Sequence, residues 1–329
     1  MTDESPFLKL PEIVMDNVLH YCDYLEIARL RKTCRSLRNY VDSTTSDALM
    51  TSVEITAHSQ EVRFLLRSRS CRIDAHYSQS KDGYSMQYYT NGKCEFKTKK
   101  IHGENYLEAF KKDLEIFMKY QKGVISHLRI DLPPPLSEGI LKVIENRGST
   151  LKVTEIYVFN LPATQLLSTI SLIDAQCLEN LKVFTKEQRD VIDEIMDLEQ
   201  WKHLYYCQLL NFQISQPRRI SHIGMFTGNV TSVTAADLDF LKTAFLNSSM
   251  FCCCKMNCNS IADLSEIAEI FGVQPFTSRG STGGVLRLWF FRMPNDKTTV
   301  LSLDVNSFHF VEFRHKKTAE VPSDAVIIG

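Results

Sequence analysis

Short apolar strands alternate with helical stretches through the middle of this 329-residue chain. The strand-like segments are centred on Leu128, Ile156, Leu181, Leu204 and Ile223, at intervals of 28, 25, 23 and 19 residues. Periods of about 20–50 residues indicate repeat architectures, in which each unit buries its apolar side only against its neighbours. The alternation therefore predicts a strand–helix solenoid, and its drifting period predicts an irregular one.

The flanking segments predict further strands and helices. Residues 51–100 contain the strand-like runs "CRIDAHYS", "YSMQYYT" and "KCEFKTKK", and Asn91-Gly92 between two of them is a hairpin signal. The stretch "ENYLEAFKKDLEIFMKYQKG" predicts an amphipathic helix, and two more helices are expected at "TAADLDFLKTAFLNSS" and "SIADLSEIAEIFG". The runs "LRLWFFRM" and "VLSLDVNSFHFVEFR", joined through "PNDKTT", predict a C-terminal β hairpin.

Composition restricts the classes of protein to which the chain can belong. A formal net charge of −1 argues against a general nucleic-acid or anionic-membrane binder. No apolar run approaches the ~18 residues of a membrane span, and the acidic start "MTDESP" is unlike a signal peptide. Ten cysteines without a secretory signal indicate free thiols in a reducing compartment. We expect a cytoplasmic and/or nuclear globular protein with no nucleic acid, no membrane and no cofactor among its ligands.

The N-terminal stretch "LPEIVMDNVLHY" (10–21) predicts a helix with more apolar surface than one neighbour can cover. Leu10-Pro11 is a favourable entry, because proline is tolerated at the first helical position. The apolar residues fill nearly half of the helix circumference, whereas an ordinary surface helix buries one stripe; they are Val14, Met15, Val18, Leu19, Tyr21 and Cys22. Asp23 followed by Glu26 has the spacing of a capping box and predicts a second helix from Tyr24.

The segment "FLKLPEIVMDNVLHYCDYLEIARLRKTCRSLRNYV" resembles an F-box over residues 6 to 44. The pattern is Leu-Pro, then Val14, Val18 and Leu19, then a short break and a leucine-rich second helix with a basic end. The segment departs from the common pattern at Leu37, where many F-boxes carry tryptophan. The alternative reading is a helical cap on the domain that follows.

The resemblance implies a partner for the wide apolar surface. An F-box docks its helices on the Skp adaptor of a cullin–RING ubiquitin ligase, a helix-in-groove interface driven by burial. The adaptor-binding residues that the resemblance implies are Leu10, Pro11, Ile13, Val14, Val18, Leu19, Leu25, Leu30 and Leu37.

The rest of the chain resembles the FTH domain, which commonly follows an F-box in a large nematode family called F-box A proteins. The stretch "DLDFLKTAFLNSSMF" (237–251) is the most specific motif, and the irregular repeats before it also fit. The FTH domain has no assigned catalytic activity, and its implied role is protein binding. The expected fold class is α+β / α/β, with an N-terminal three-helix F-box (1–46), a β-rich connector (47–103) and a leucine-rich-repeat-like solenoid ending in a hairpin (104–329).

No motif in the sequence proposes a catalytic or metal site. The stretch "FCCCKMNC" (251–258) lacks the paired spacing of structural zinc sites, so a buried solenoid strand is the preferred interpretation over metal binding. The stretch "RGSTGGV" (279–285) lacks the Lys-Ser or Lys-Thr of a phosphate loop and is expected to be a turn. The arginines of "EVRFLLRSRSCR" are expected on a solvated or adaptor-proximal face rather than on nucleic acid.

Three hypotheses for function follow. The first is a non-catalytic substrate receptor of a ubiquitin ligase, whose F-box holds the Skp adaptor and whose solenoid captures an unknown target protein. The second is a repeat scaffold or binding module without a ligase connection, and the third is an enzyme whose active site has no recognisable motif. Because strand residues alternate between faces, we expect target binding at Arg129, Asp131 and Thr154, together with the hairpin around Trp289.

Overall fold

A computed structural model describes residues 6–22, 24–43, 49–69, 71–90, 97–186, 190–279 and 284–329. The chain divides into two compact units, Met1–Leu178 and Glu179–Gly329. This division differs from the expected segments 1–46, 47–103 and 104–329, and those limits remain a sequence-based prediction.

The first unit begins with helices that we call the N-terminal helices: α1 (Glu12–Tyr21), α2 (Tyr24–Thr33) and α3 (Arg35–Ser43). Pro11 immediately precedes α1, as the sequence predicts, and α2 begins at the predicted residue. The cap proposed for α2, Asp23, lies outside the described residues. The phenol of Tyr40 on α3 donates to the Asp16 carboxylate on α1 at 2.7 Å and thereby ties these two helices together.

A mixed sheet forms the centre of the first unit. Its strands and the helices between them are β1 (Ser52–His58), β2 (Glu61–Arg67), β3 (Arg72–Ser80), β4 (Gly83–Thr90), β5 (Lys97–His102), α4 (Tyr106–Tyr120), β6 (Ile125–Asp131), α5 (Leu136–Glu145), β7 (Val153–Phe159) and α6 (Ala163–Ser171). The strand order is β7-β6-β1-β2-β3-β4-β5, with β7, β6 and β1 parallel and the rest antiparallel. The predicted meander is confirmed, and its pairing with β6 makes it part of this sheet rather than a separate connector. Asn91-Gly92, between β4 and β5, lies outside the described residues.

Helix α4 packs along one face of this sheet, as its amphipathic pattern predicts. Asn105 caps it, since its side-chain oxygen accepts from the backbone N–H of Leu107 at 2.8 Å. The ring of Phe64 on β2 makes edge contacts with Phe110 and Phe117 of α4 at 5.6 and 5.5 Å between ring centroids. Aromatic pairs in this geometry contribute about 0.5–1.5 kcal/mol each beyond their burial.

The carboxylate of Asp42, at the end of α3, links the N-terminal helices to α4. Asp42 accepts a bidentate pair of hydrogen bonds from Arg31 of α2, at 2.7 and 3.2 Å, and a further one from the phenol of Tyr120 on α4. The Arg31 guanidinium also lies over the Tyr120 ring, 5.3 Å from its centroid. Beside this cluster, Tyr24 of α2 meets Phe117 edge to face at 5.8 Å. Charged and aromatic contacts therefore hold the N-terminal helices against α4.

The environment of Asp42 favours its ionised form. Burial alone would raise the pKa of this carboxyl, but the hydrogen bonds from Arg31 and Tyr120 and the charges of Arg31 and Lys119 outweigh burial and lower the pKa. Burial and the hydrogen bond to Asp42 raise the pKa of the Tyr120 phenol, which therefore stays protonated and donates.

The second unit consists of strands β8 (Asn180–Phe184), β9 (Tyr206–Ile214), β10 (Met225–Val233), helix α7 (Ala235–Leu246), β11 (Cys253–Ile261), helix α8 (Leu264–Phe271), β12 (Phe276–Arg279), β13 (Val285–Met293), β14 (Asp296–Asn306), β15 (Phe310–Lys317) and β16 (Ile327–Ile328). Strands β8, β9, β10 and β11 are parallel neighbours, and β11-β15-β14-β13-β12 continue antiparallel, with β16 parallel to β13. Parallel pairing of β8 to β11 is the arrangement expected when strands alternate with helical segments along the chain.

The motif at 237–251 is a structural element of this unit. Asp237 and Thr234 form a capping box at the start of α7. Leu238, Leu241 and Phe245 are buried, and the ring of Phe245 stacks on Phe251 at 4.0 Å. The motif therefore specifies how α7 begins and how it packs, while Phe240 and Met250 within it are exposed.

Three details of the sequence-based fold are wrong. Leu204 and Ile223 precede β9 and β10, because 3₁₀ turns at Glu199–His203 and Pro217–Ile220 occupy the expected strand starts. The predicted helix in "EQRDVIDEIMD" is a 3₁₀ helix at Asp193–Asp197, with residues 187–189 outside the described part. The predicted C-terminal hairpin is confirmed, since β13 and β14 pair antiparallel, but its second run is two strands rather than one. This run, "VLSLDVNSFHFVEFR", reverses between β14 and β15, where Asn306 accepts from the N–H groups of Phe308 and Phe310.

Asp42→Asn is expected to weaken the packing of α2, α3 and α4 on one another by about 1–3 kcal/mol, because the hydrogen bonds from Arg31 and Tyr120 lose their charge assistance. The lowered pKa means that this contribution is complete above the ordinary aspartate value of 3.8 and is lost as the pH falls through the lower folded value. Hydrogen exchange should show faster opening of α3 at neutral pH, and denaturant unfolding should show less loss of stability on acidification than in the wild type. Asp82→Asn, an exposed turn residue, is the control; equal effects of both variants would contradict this role of Asp42.

Candidate functional site

Apolar side chains of α1 and its entry are exposed to solvent on one side of the helix, with the polar Asn17 among them. We call this set the α1 stripe; it consists of Leu10, Ile13, Val14, Val18 and Tyr21, which are 40, 72, 39, 40 and 85% exposed. At 3.6 residues per turn, the helical members cover an arc of about 140°. Large contiguous apolar patches are uncommon on monomeric proteins and mark interaction sites.

The opposite side of α1 faces the interior. Met15 and Leu19, four residues apart and therefore one above the other, are the buried residues of this helix. The hydrogen bond between Asp16 and Tyr40 fixes the rotation of α1 relative to α3. The apolar surface of α1 is thus divided into a narrow buried side, formed by Met15 and Leu19, and the wider exposed α1 stripe.

The structure divides the predicted adaptor-binding residues into three groups. Leu10, Pro11, Ile13, Val14 and Val18 are exposed, and Leu30 is half-buried. Leu19 and Leu37 are buried, at 1 and 2% exposure, so both belong to the core and cannot contact a partner directly without rearrangement. The side chain of Leu25 lies outside the described residues.

Tyr21 is the most exposed member of the α1 stripe and was not among the predicted contacts. It lies three residues after Val18 and seven after Val14, the spacing at which helical side chains share a face. That spacing was the sequence signal that could have identified it.

A second, partly exposed surface lies on the side of the first sheet opposite α4. We call it the strand face; it consists of His127, Arg129, Asp131, Tyr157 and Phe159. The register pairs Arg129 with Tyr157 and Asp131 with Phe159, which places all four on one side. The predicted alternation on β6 is confirmed, because Leu128, Ile130 and Leu132 are fully buried.

The charged groups of the strand face are fixed in place by one another. The Arg129 guanidinium lies over the Phe159 ring, 4.1 Å from its centroid, and pairs with Asp131 at 3.3 Å. Asp131 also accepts from the side-chain amide of Asn160 at 2.8 Å. Such a surface presents a fixed pattern of charge beside aromatic rings, which suits recognition of another protein.

The two remaining predicted target contacts lie elsewhere. Thr154 is half-buried. It lies two and four residues before Ile156 and Val158 and therefore faces the buried side of β7 with them. The sequence-based expectation placed it on the other side because it assumed an alternation shifted by one residue. Trp289 is 2% exposed; its indole N–H donates to the backbone carbonyl of Val273 at 3.0 Å, and Phe271 packs on its edge. Neither residue is available on an exposed strand surface.

The cysteine-rich stretch forms β11, as the preferred interpretation predicts. Cys254, Met256 and Cys258 are buried in alternation, and burial raises the pKa of the Cys258 thiol to about 12. Thiols in this state are poor nucleophiles and poor metal ligands at neutral pH. Across the described ranges, no group of His, Cys, Asp or Glu side chains is arranged to hold a metal ion. In the part of the chain that the structure describes, no helix combines the length and hydropathy needed to cross a membrane.

Comparison with known proteins identifies two domains along the chain. A model of the F-box domain matches residues 7–47, and a model of the FTH domain matches residues 136–274. The order of the two domains agrees with the resemblance found in the sequence. The first match contains the whole α1 stripe, and the second begins after β6 and ends after α8. No curated protein and no solved structure matches the chain.

Proposed function

We propose that this chain, in which an F-box domain precedes an FTH domain, is the substrate-recognition subunit of a Skp–cullin–F-box ubiquitin ligase. The observation that carries the proposal is the α1 stripe, which lies inside the F-box match and has no covering element among the described residues. The N-terminal helices would bind the Skp adaptor, and the remainder of the chain would bind a target protein. This role is compatible with residence in the cytoplasm, the nucleus or both.

The energetics of the α1 stripe suit a stable partner. Fully burying a Val, Leu or Ile side chain contributes about 1.5–3 kcal/mol, so several such residues on one helix can support a specific interface. The stripe offers aliphatic groups at its centre and the amphipathic ring of Tyr21 at its end, a composition favoured at interface cores. The carboxylate of Asp42 and the guanidinium of Arg31 are engaged with each other, so adaptor binding would depend on burial rather than on these charges.

The mechanism of such a subunit is proximity. Holding a target and the charged ubiquitin-conjugating enzyme in one assembly raises the effective concentration of target lysines near the thioester. The chain itself would supply two binding surfaces and no bond-making groups.

For the target, we propose the strand face, with Arg129 and Asp131 as its charged residues. The rigid packing of Arg129 on Phe159 lowers the entropy lost on binding, because the side chain is already ordered. Thr154 and Trp289, which were expected to contribute, are not part of this proposal because of their burial and orientation.

Val14→Asp or Val18→Asp is expected to abolish co-purification with the Skp adaptor. Both residues are exposed in the free chain, so the variants should fold, whereas a carboxylate buried without a partner at the interface costs several kcal/mol. Co-expression with the adaptor and circular dichroism of the free chain measure the two effects. Glu12→Lys changes the charge at an exposed position of α1 that lies away from the stripe, and this variant should retain the adaptor. Normal adaptor recovery with both valine variants would disprove this interface.

Arg129→Glu combined with Asp131→Arg is expected to abolish target capture while leaving adaptor binding unchanged. The double variant retains an ion pair on β6 but reverses its polarity and removes the guanidinium from the Phe159 ring. Quantitative enrichment of chain-associated, ubiquitin-modified proteins with the proteasome blocked provides the comparison. Glu199→Lys combined with Lys202→Glu, which swaps an exposed ion pair of the second unit and likewise leaves the net charge unchanged, is the control. The same set of captured proteins in the double variant and the wild type would contradict the assignment.

A further inference from the structure

A groove opens on the α4 side of the first sheet, separate from the strand face on the opposite side. Its walls are α2 and α4, its floor is formed by β2, β3 and β4, and β5 forms its outer edge. The cavity volume is about 580 Å³, within the range of about 300–1,000 Å³ typical of ligand-binding pockets. Leu66, Ile73 and Ala75 give the floor a buried apolar surface, and Met86 and Tyr88 extend it toward β5.

Exposed cations line the groove on two sides. Arg29 and Lys32 project from α2, and Lys97 and Lys99 project from β5. The register pairs Lys97 with Tyr88 and Lys99 with Met86, so these lysines share the face of the apolar floor. Lys100, the residue between Lys99 and Ile101, has the opposite parity and faces away from the groove.

The groove carries an excess of positive charge. Two further ionisable groups in its lining have partners: Arg31 pairs with Asp42, and the Asp113 carboxylate accepts a hydrogen bond from the Tyr77 phenol at 2.6 Å. The four cations have no acidic partner within the described residues. Charges left unpaired around an apolar floor favour a ligand that supplies carboxylates at its periphery and an apolar group at its centre.

We propose that this groove, which we call the basic groove, binds an acidic peptide segment. Carboxylates of the segment would meet Arg29 and Lys32 on one side and Lys97 and Lys99 on the other, and an aliphatic side chain between them would rest on the floor. In the described part of the sheet β5 pairs only with β4, so its outer edge also offers backbone groups to an extended peptide. Cations on α2 and on β5, at two sides of the groove, suit an extended chain better than a compact anion. The idea that the segment belongs to a ligase target rests on the proposed function. The binding of an acidic segment to the groove does not depend on that function.

The probe for this proposal is a fluorescein-labelled peptide, Glu-Asp-Glu-Leu-Glu-Asp-Glu, titrated with the full chain and followed by fluorescence anisotropy. Lys97→Glu with Lys99→Glu should weaken binding at least about tenfold, because two attractive contacts become repulsive. Lys100→Glu, on the same strand but the other face, should change it less than about twofold. Arg29→Glu should also weaken binding, with Arg35→Glu on α3 as its control.

Changes to the probe separate the two parts of the site. Replacing the leucine by alanine should weaken binding through loss of the floor contact, and replacing the acids by their amides should abolish it. Absence of binding up to about 1 mM peptide, or equal losses in Lys100→Glu and the groove variants, would overturn the proposal. Tighter binding of a single-stranded oligonucleotide of equal charge would assign the groove to nucleic acid instead.

Adaptor capture distinguishes failure of this proposal from failure of the proposed function. Groove variants that lose the peptide should still bind the Skp adaptor through the α1 stripe. Loss of the peptide site with normal adaptor capture in the wild type would overturn the groove alone. Displacement of the peptide by saturating adaptor would overturn it too, because the groove would then be part of the adaptor interface.

Discussion

The position of the α1 stripe depends on how the N-terminal helices attach to α4. Helices of nine or ten residues are marginal in isolation, so α1, α2 and α3 need tertiary contacts to persist. Asp42 provides such contacts, because it accepts hydrogen bonds from Arg31 of α2 and Tyr120 of α4. Tyr40 of α3 in turn donates to Asp16 and so fixes α1. The result orients one side of α1 inward and leaves the α1 stripe exposed among the residues that the structure describes.

The sequence predicts most of the fold where periodicity is strong. Alternating buried residues identify β6, and helical spacing identifies α4 and α7, because these patterns follow directly from the geometry of strands and helices. Prediction fails around Leu204 and Ile223, where 3₁₀ turns replace the first residues of the expected strands. It also fails after the C-terminal hairpin, where the run expected as one strand reverses between β14 and β15 and the side chain of Asn306 caps the turn.

The candidate site is predicted less completely than the fold. Which side of a helix or strand is buried depends on contacts with residues that are distant in the sequence. Val18 and Leu19 are adjacent and equally apolar, yet only the packing of the N-terminal helices makes the first exposed and the second buried. Trp289 resembles an exposed interface anchor in sequence, but Phe271 of a separate helix covers it. The basic groove was not predicted, since its cations come from α2 and β5 and meet only in the folded unit. Side chains that converge from distant segments leave no local sequence pattern.

We propose that the α1 stripe, exposed among the residues that the structure describes, is a partner interface. Hydrogen exchange of the full chain, measured free and saturated with the Skp adaptor, tests this proposal. We expect strong new protection across Glu12–Tyr21 and unchanged exchange in β6 and β7, which lie in the same unit but carry the strand face. Unchanged exchange in α1 on saturation, or protection confined to β6 and β7, would contradict it.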